Sequence, residues 1–496
     1  MTAQEQLRLA IEEAAACLRS GVPADRDGAL RALLRRRDRL PLPIERSPST
    51  DPIFGMQLLD PGGNKALSFV IESPGGASDS DVLDDWAERF SGQCAQLAEA
   101  EQVSALAESG VMRVVEEPDG SFSAWISSKR MPASWRERGD FRWWERSLAE
   151  RANTDSPDSL SQAHARVAAM AYQFGYPTNA MLGGCTVGAW LDLLARLIER
   201  VLSPPSSLIE IEEGKLVEEL AMGLNLPREA VRQALSGFTL DRDNTAYHAA
   251  VPGIAAAPIV RVSPDRLLLS RYGLLSEPLL FLARELRRRD AEAYHNSGYL
   301  REAVFRDDLY ALFADKRFVT SAGRINLRRG DGGVRTDIDA AIFDRKSGTL
   351  GLFELKSHDP FARSIAELTR QRDNVLYANR QISGTLDWIK RHGADEILHR
   401  IDPRAAKTFK AQKVYPFVLG RYLVHFNDGA NPDPRAAWGS WPQILRLLDR
   451  HPVRMTDANP IASLFSRLSK DDPLAREDQP LPPREIALGD ARLMVF

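Results

Sequence analysis

The sequence predicts an α+β multidomain chain: a mostly helical N-terminal region with a small β-hairpin element, followed by an α/β core whose mixed central sheet is flanked by helices. Three observations carry that expectation. The chain has 496 residues, room for roughly two to four domains. Apolar residues recur at helical spacing through most of the N-terminal region, and beyond residue 299 the period shortens toward two in runs separated by turn residues. Hydrophobic residues at 44% and charged residues at 27% are the proportions of an ordinary globular chain, which excludes wholesale disorder, a collagen-like repeat and a coiled-coil rod.

In chain order, residues 2–20 and 24–38 read as two amphipathic helices, and Pro41, Pro43 and the stretch 47–52 as a loop. A helix is expected at 80–108, then a hairpin in which two apolar runs flank the Pro118-Asp119-Gly120 turn. Trp135, Phe141, Trp143 and Trp144 follow among arginines, where they read as packing at a helix junction before they read as a base-stacking platform. Residues 158–202 read as a helical pair broken between Tyr176-Pro177 and Gly183-Gly184, and 204–207 (Pro-Pro-Ser-Ser) as a linker that closes a mostly helical region, 1–205, of unread role. Residues 206–295 form a helical and hairpin connector. In it Lys215 to Leu235 has the spacing of a helix-turn-helix, with Arg228, Arg232 and Gln233 outward, although an ordinary helical hairpin uses the same spacing. A hairpin at 258–270 and a helix at 277–293 lead to the core at 296–430, and 431–496 is a helical extension ending in a short strand.

The N-terminus lacks a basic region, an apolar segment and a cleavage site, so secretion is not expected. Cys17, Cys94 and Cys185 are odd in number, far apart and outside any C-x-x-C spacing, which points to a reducing cytoplasm rather than a disulfide framework or zinc site. The uncharged stretch 167–191 is interrupted by Gln173, Pro177, Thr178 and Asn179, and no membrane partner is expected. A formal net charge of −3 conceals an asymmetry: residues 256–430 carry 30 Lys and Arg against 22 Asp and Glu, and the rest of the chain is acidic. Such a balance suits a polyanion-binding domain, or equally a solvated face.

The chemistry concentrates after 299. A helix at 299–314 contains Glu302; strands are expected near 317–328 and at 336–344, the latter beginning Thr336-Asp-Ile-Asp339. After the Arg345–Gly348 turn comes Thr349-Leu-Gly-Leu-Phe-Glu354-Leu-Lys356, then a helix at 361–382 with Arg370, Gln371 and Arg372. Side chains two apart on a strand share a face, so Asp337 and Asp339 project together, as do Glu354 and Lys356. If the strands pair as a hairpin, three carboxylates and a lysine meet at one edge. That donor set suits Mg²⁺, with Mn²⁺ as substitute, because such ions take a few carboxylate oxygens and leave room for substrate phosphate. A lysine beside the ion can stabilise charge on phosphate or help activate water, which suits phosphodiester hydrolysis. Acid-x-Lys also occurs at Glu213/Lys215 and Asp344/Lys346; only Glu354/Lys356 ends an apolar strand, where unpartnered charge is costly. His358 reads as a contact to phosphate or to the lysine, or as a loop histidine. Gly62-Gly-Asn-Lys65 lacks the Walker spacing.

The stretch 299–382, with Glu302, Thr336-Asp-Ile-Asp339 and Phe353-Glu-Leu-Lys356, resembles the PD-(D/E)XK nuclease superfamily of the restriction-endonuclease-like fold, and with the expected strand at 414–424 the resemblance spans about 299–425. It implies metal ligation by Asp339 and Glu354 and catalysis by Lys356, with Glu302 as the supporting acid and Gln371 as the polar residue of the following helix. The family's Pro-Asp dipeptide is absent, so Asp337 stands as a rival ligand. The resemblance implies a Mg²⁺-dependent nuclease, foremost a DNA endonuclease, with prokaryotic antiviral defence or restriction as its setting. Arg370, Arg372, Lys407, Lys410 and Lys413 are the expected nucleic-acid contacts, and the N-terminal region is expected to supply recognition, a partner protein's docking site or homo-oligomer assembly. The alternative is a non-catalytic nucleic-acid-binding or assembly protein that uses the same domain as a platform.

Overall fold

The computed structural model describes residues 1–40, 61–74, 83–126, 158–202, 208–250, 256–328, 332–358, 365–426, 431–450, 457–475 and 483–496, together with individual residues between 137 and 150. It is a mixed α/β architecture with several sheets. No helix among the described residues is long and apolar enough to cross a membrane.

Helices Ala3–Ser20, Arg26–Asp38, Pro61–Glu72 and Leu83–Glu108 bury their apolar faces against one another. Thr2 and Glu5 close a capping box on the first of them, which satisfies amide donors that the helix leaves unbonded. The expected hairpin forms from Met112–Glu116 and Phe122–Ile126. It is completed from the far end of the chain, since Ala491–Val495 pairs parallel with Phe122–Ile126 and antiparallel with Arg484–Leu488 in a four-stranded sheet. The segment 431–496 is therefore not one helical extension. A lone hairpin is marginal in water, and Ile486, Leu488, Leu493 and Val495 find their core against the N-terminal helices.

A second apolar core runs from Ala163 to Tyr294, across the expected boundary at 205. Helix Val187–Leu202 packs on the region beyond it because its apolar residues cover most of its circumference and need partners on several sides. Strand Leu208–Glu212, helices Glu213–Leu224 and Arg228–Ser236, and the hairpin Ile259–Ser263/Arg266–Ser270 follow, and Asn225 turns between the helices at φ 53°. Two helices joined by a turn form there, as a helix-turn-helix and an ordinary helical hairpin both require, and the outward polar side chains are engaged within the chain: Arg228 with Glu218, Arg232 with Glu229 and Gln233 with the Gly183 carbonyl.

The third assembly holds the acid–lysine motif. Its sheet has the order Ala437–Ser440, Lys413–Gly420, Thr349–Lys356, Ala340–Asp344, Phe318–Thr320. The last three strands pair antiparallel; the first two lie parallel to Thr349–Lys356. Gly348 at φ 64° closes the turn between Asp344 and Thr349, in a conformation that a side chain would strain. The expected strand 317–328 is two strands, because Ile325–Arg328 leaves the main sheet to pair with Val334–Ile338. The expected helix 361–382 is also two, Ile365–Leu376 and Ala378–His392. Helices Trp441–Arg450 and Pro460–Lys470 cover the sheet with the aromatic core, in which Trp144 is buried against Phe141, Tyr172 and Tyr422; Trp135 lies outside the described residues. The packing reading of this aromatic run thus fits its described members.

Candidate active site

Asp339 sits at the bend where one strand crosses between two sheets, after Ile338 and before Ala340. One step past the last paired residues on either side, its neighbours are Arg324 in the small sheet and Glu354 in the large one. Opposed positions on adjacent strands hold their side chains about 5 Å apart. Backbone register alone thus lines up a cation and two acids across three strands.

The side chains follow that register. Asp339 is 6% exposed, and its Oδ2 accepts from the Leu355 amide at 2.9 Å. Glu354 is 4% exposed and accepts from Lys356 Nζ at 2.5 Å. Burial first, and then the neighbouring Asp339 carboxylate, push the Glu354 carboxyl up to about 8, against the pull of Lys356. Lys356 also donates to Gln381 Oε1 at 2.9 Å, while Gln381 Nε2 lies 3.4 Å from Asp337 Oδ1. Arg324 Nε is 3.2 Å from both Asp337 Oδ2 and Asp339 Oδ1, and its Nη2 is 3.3 Å from Glu302 Oε2. Glu302, on helix Gly298–Ala311, is raised by burial and by Asp339. The four acids expected at the site, Glu302, Asp337, Asp339 and Glu354, and the expected lysine are therefore joined in one polar network.

Two members of that network were not among the residues expected. Among the described contacts, Gln381 rather than Gln371 reaches Lys356. The break at Tyr377 starts a new helix, Ala378–His392, whose Gly384 lies beside Thr336 and whose Gln381 reaches across to Asp337 on the same strand. Gln371 belongs to the preceding helix, Ile365–Leu376. Arg324 had no local signal beyond standing next to Gly323 in a turn; its role comes from the pairing of Ile325 with Ile338. His358 lies in the loop just past the strand end, half-buried, and its Nε2 is buried with no hydrogen bond among the described residues. Burial, with the charges of Lys356 and Arg301 behind it, lowers the ring's pKa to about 3.

The expected nucleic-acid contacts are placed differently. Lys413 pairs with Thr349, and Gly420 with Lys356, so Lys413 stands at the opposite end of the sheet. Seven steps at about 3.3 Å make that roughly 23 Å. Lys410 pairs with Asp395, and Lys407 lies in the last turn of the short helix Pro403–Thr408, on the approach to Lys413. Arg370 donates to the Ala366 carbonyl on its own helix and Arg372 pairs with Asp373. None of the five makes a described contact to the acid network.

The two competing acid-x-Lys triplets have structural partners. Asp344 is gripped by Arg317, and Glu213 by Arg261 through two hydrogen bonds. Among the described residues, no three His, Cys, Asp or Glu side chains form a ready-made cation cage. A Mg²⁺ ion needs only one or two carboxylates plus water, and the donor set of all-oxygen acids, with Glu354 short of positive charge, fits such an ion. Comparison with family models, with curated proteins and with solved structures found no match to this chain.

Proposed function

We propose that the chain is a Mg²⁺-dependent nuclease of the PD-(D/E)XK type that hydrolyses phosphodiester bonds, with DNA as its first substrate. The observation that carries this reading is the buried Asp339–Glu354 pair with Lys356 at the open end of a bent strand pair. The order of a Glu302 helix, antiparallel strands, helices and then a parallel strand supports it further. Asp339 and Glu354 would hold the ion, with Asp337 as a further oxygen donor; Mn²⁺ would suit the same oxygens. Bound there, the ion supplies Lewis-acid stabilisation of the phosphate and a more acidic water.

The remaining work falls to the protein's own groups. The Lys356 ammonium, fixed between Glu354 and Gln381, carries positive charge at the point where negative charge grows on a phosphate oxygen, and it can pass a proton to or from water. Gln381 ties the lysine to Asp337 and so couples the two strands that carry the acids. One observation favours the non-catalytic platform instead: Arg324 already pairs with three of the four acids.

Supercoiled plasmid and linear duplex, each with Mg²⁺, Mn²⁺ or EDTA, separate the two. The nuclease nicks or linearises DNA only with metal, and Asp339→Ala and Lys356→Ala lose that activity while still binding DNA. A wild-type protein that binds DNA and leaves every substrate intact in both metals supports the platform.

A further inference from the structure

Arg324 is an unusual occupant of an acid cluster. It opens the small strand Ile325–Arg328, and its guanidinium is spread over Asp337, Asp339 and Glu302 at 3.2–3.3 Å. A committed Arg–carboxylate pair in the same protein looks different. Arg317 grips Asp344 through two parallel contacts of 2.6 Å, with its side chain only 9% exposed. The Arg324 side chain is 49% exposed, so its head already meets water and gives up little by leaving. Beside it, an added Cβ at Gly323 would touch nothing within 4 Å, which leaves open space next to the turn that holds the arginine.

On the reading that the cluster takes a divalent ion, we propose that Arg324 is a built-in competing cation that occupies the Asp337 and Asp339 oxygens until the metal ion displaces its guanidinium. The conflict is one of place as well as charge. The oxygens within 3.2 Å of Arg324 Nε are those that ligation would require, and a Mg²⁺–oxygen distance of about 2.1 Å leaves no room for the guanidinium on the same lone pairs. An arginine stays charged at every working pH, so proton release cannot clear the site and movement must. Without metal, the arginine keeps two partly buried aspartates from facing each other uncompensated. Its cost is a weaker apparent affinity for the ion, because binding includes the displacement.

Titration calorimetry of the full chain with MnCl₂ alone, without nucleic acid, tests this. Arg324→Met and Arg324→Gln, which remove the charge and keep the bulk, are expected to bind Mn²⁺ about tenfold more tightly than wild type, and Arg324→Lys to stay within about threefold of it. Asp339→Asn is expected to abolish binding in every background. Circular dichroism of each variant confirms the fold, and the two neutral variants guard against one failing to fold. If Mn²⁺ affinity is unchanged or weaker in both while Asp339→Asn still abolishes binding, the competition is overturned and the metal site that the nuclease reading needs stands. If no protein in the set binds Mn²⁺, both are overturned.

Discussion

The hairpin formed by Ala340–Asp344 and Thr349–Lys356 carries a buried acid near each end, and the two are treated in opposite ways. At the turn, Asp344 is fully buried and accepts from Arg317 twice, from Ser347 Oγ at 2.5 Å and from the Lys346 amide at 3.0 Å. Burial pushes its carboxyl up, but those hydrogen bonds outweigh burial and hold it below the ordinary range. At the open end, Glu354 is as deeply placed, with Lys356 as its one hydrogen-bond partner among the described residues and Asp339 beside it, and its carboxyl is pushed up to about 8. The same residue class on the same two strands makes a closed ionic knot at one end and an under-compensated pair at the other. Stability explains the first. The second costs folding free energy, and cost concentrated in one polar cluster is a mark of function.

The comparison breaks first at its structural end. Asp344→Ala leaves Arg317 buried without its acid and should lower unfolding free energy by about 3–5 kcal/mol in urea titrations; a loss under about 1 kcal/mol would mean the knot is ornamental. At the other end, Lys356→Ala should reduce metal-dependent plasmid cleavage by about 10²–10³-fold and destabilise less than Asp344→Ala does, because Glu354, raised to about 8, can stay neutral once its lysine is gone. Equal destabilisation by the two variants would erase the distinction between the ends.

Their pH dependences should have opposite signs. Glu354 is raised from an ordinary 4.5 to about 8, so between those values the native state holds more protons than the unfolded one. The contribution of Glu354 to the stability of the metal-free protein therefore falls as pH rises through that window, and Glu354→Gln removes that share of the slope. Asp344 lies below its ordinary 3.8, so its contribution is fully present above that value and is lost as pH falls through the lower folded one. Melting temperatures in EDTA across the pH range, for wild type, Glu354→Gln and Asp344→Asn, read both.

Two smaller effects sharpen the boundary of the site. Gln381→Ala should slow cleavage about tenfold by releasing Lys356, whereas Gln371→Ala should leave the rate within about twofold of wild type. The triple variant Lys407→Ala, Lys410→Ala, Lys413→Ala should keep the turnover rate at saturating DNA within about twofold, since these lysines stand at the far end of the sheet. A large drop in single-turnover rate from the triple variant would show that DNA runs the length of the domain.

Much of this was legible without coordinates. The spacing of Asp337, Asp339, Glu354 and Lys356, the turn between the two strands and the apolar run before Glu354 are local properties, and a two-residue period on paired strands brings such residues to one edge. Asp344/Lys346 and Glu213/Lys215 were separable from the motif for the same local reason. What sequence periodicity could not carry was register between elements far apart in the chain. Whether the helix after the motif runs on or restarts at Tyr377 decides between Gln371 and Gln381. Whether Lys413 pairs with the start or the end of Thr349–Lys356 decides which end of the sheet its charge serves.

The sequence alone therefore determined the acid–lysine constellation and the alternation that makes it a strand-edge site, because both follow from backbone periods that act over a few residues. Only the tertiary structure decided that Arg324 lies across the acids, that Gln381 holds the lysine, and that the C-terminal hairpin closes the N-terminal sheet. Those outcomes depend on which buried surfaces and unpaired strand edges find each other across hundreds of residues, and that free energy is defined only once the chain has packed.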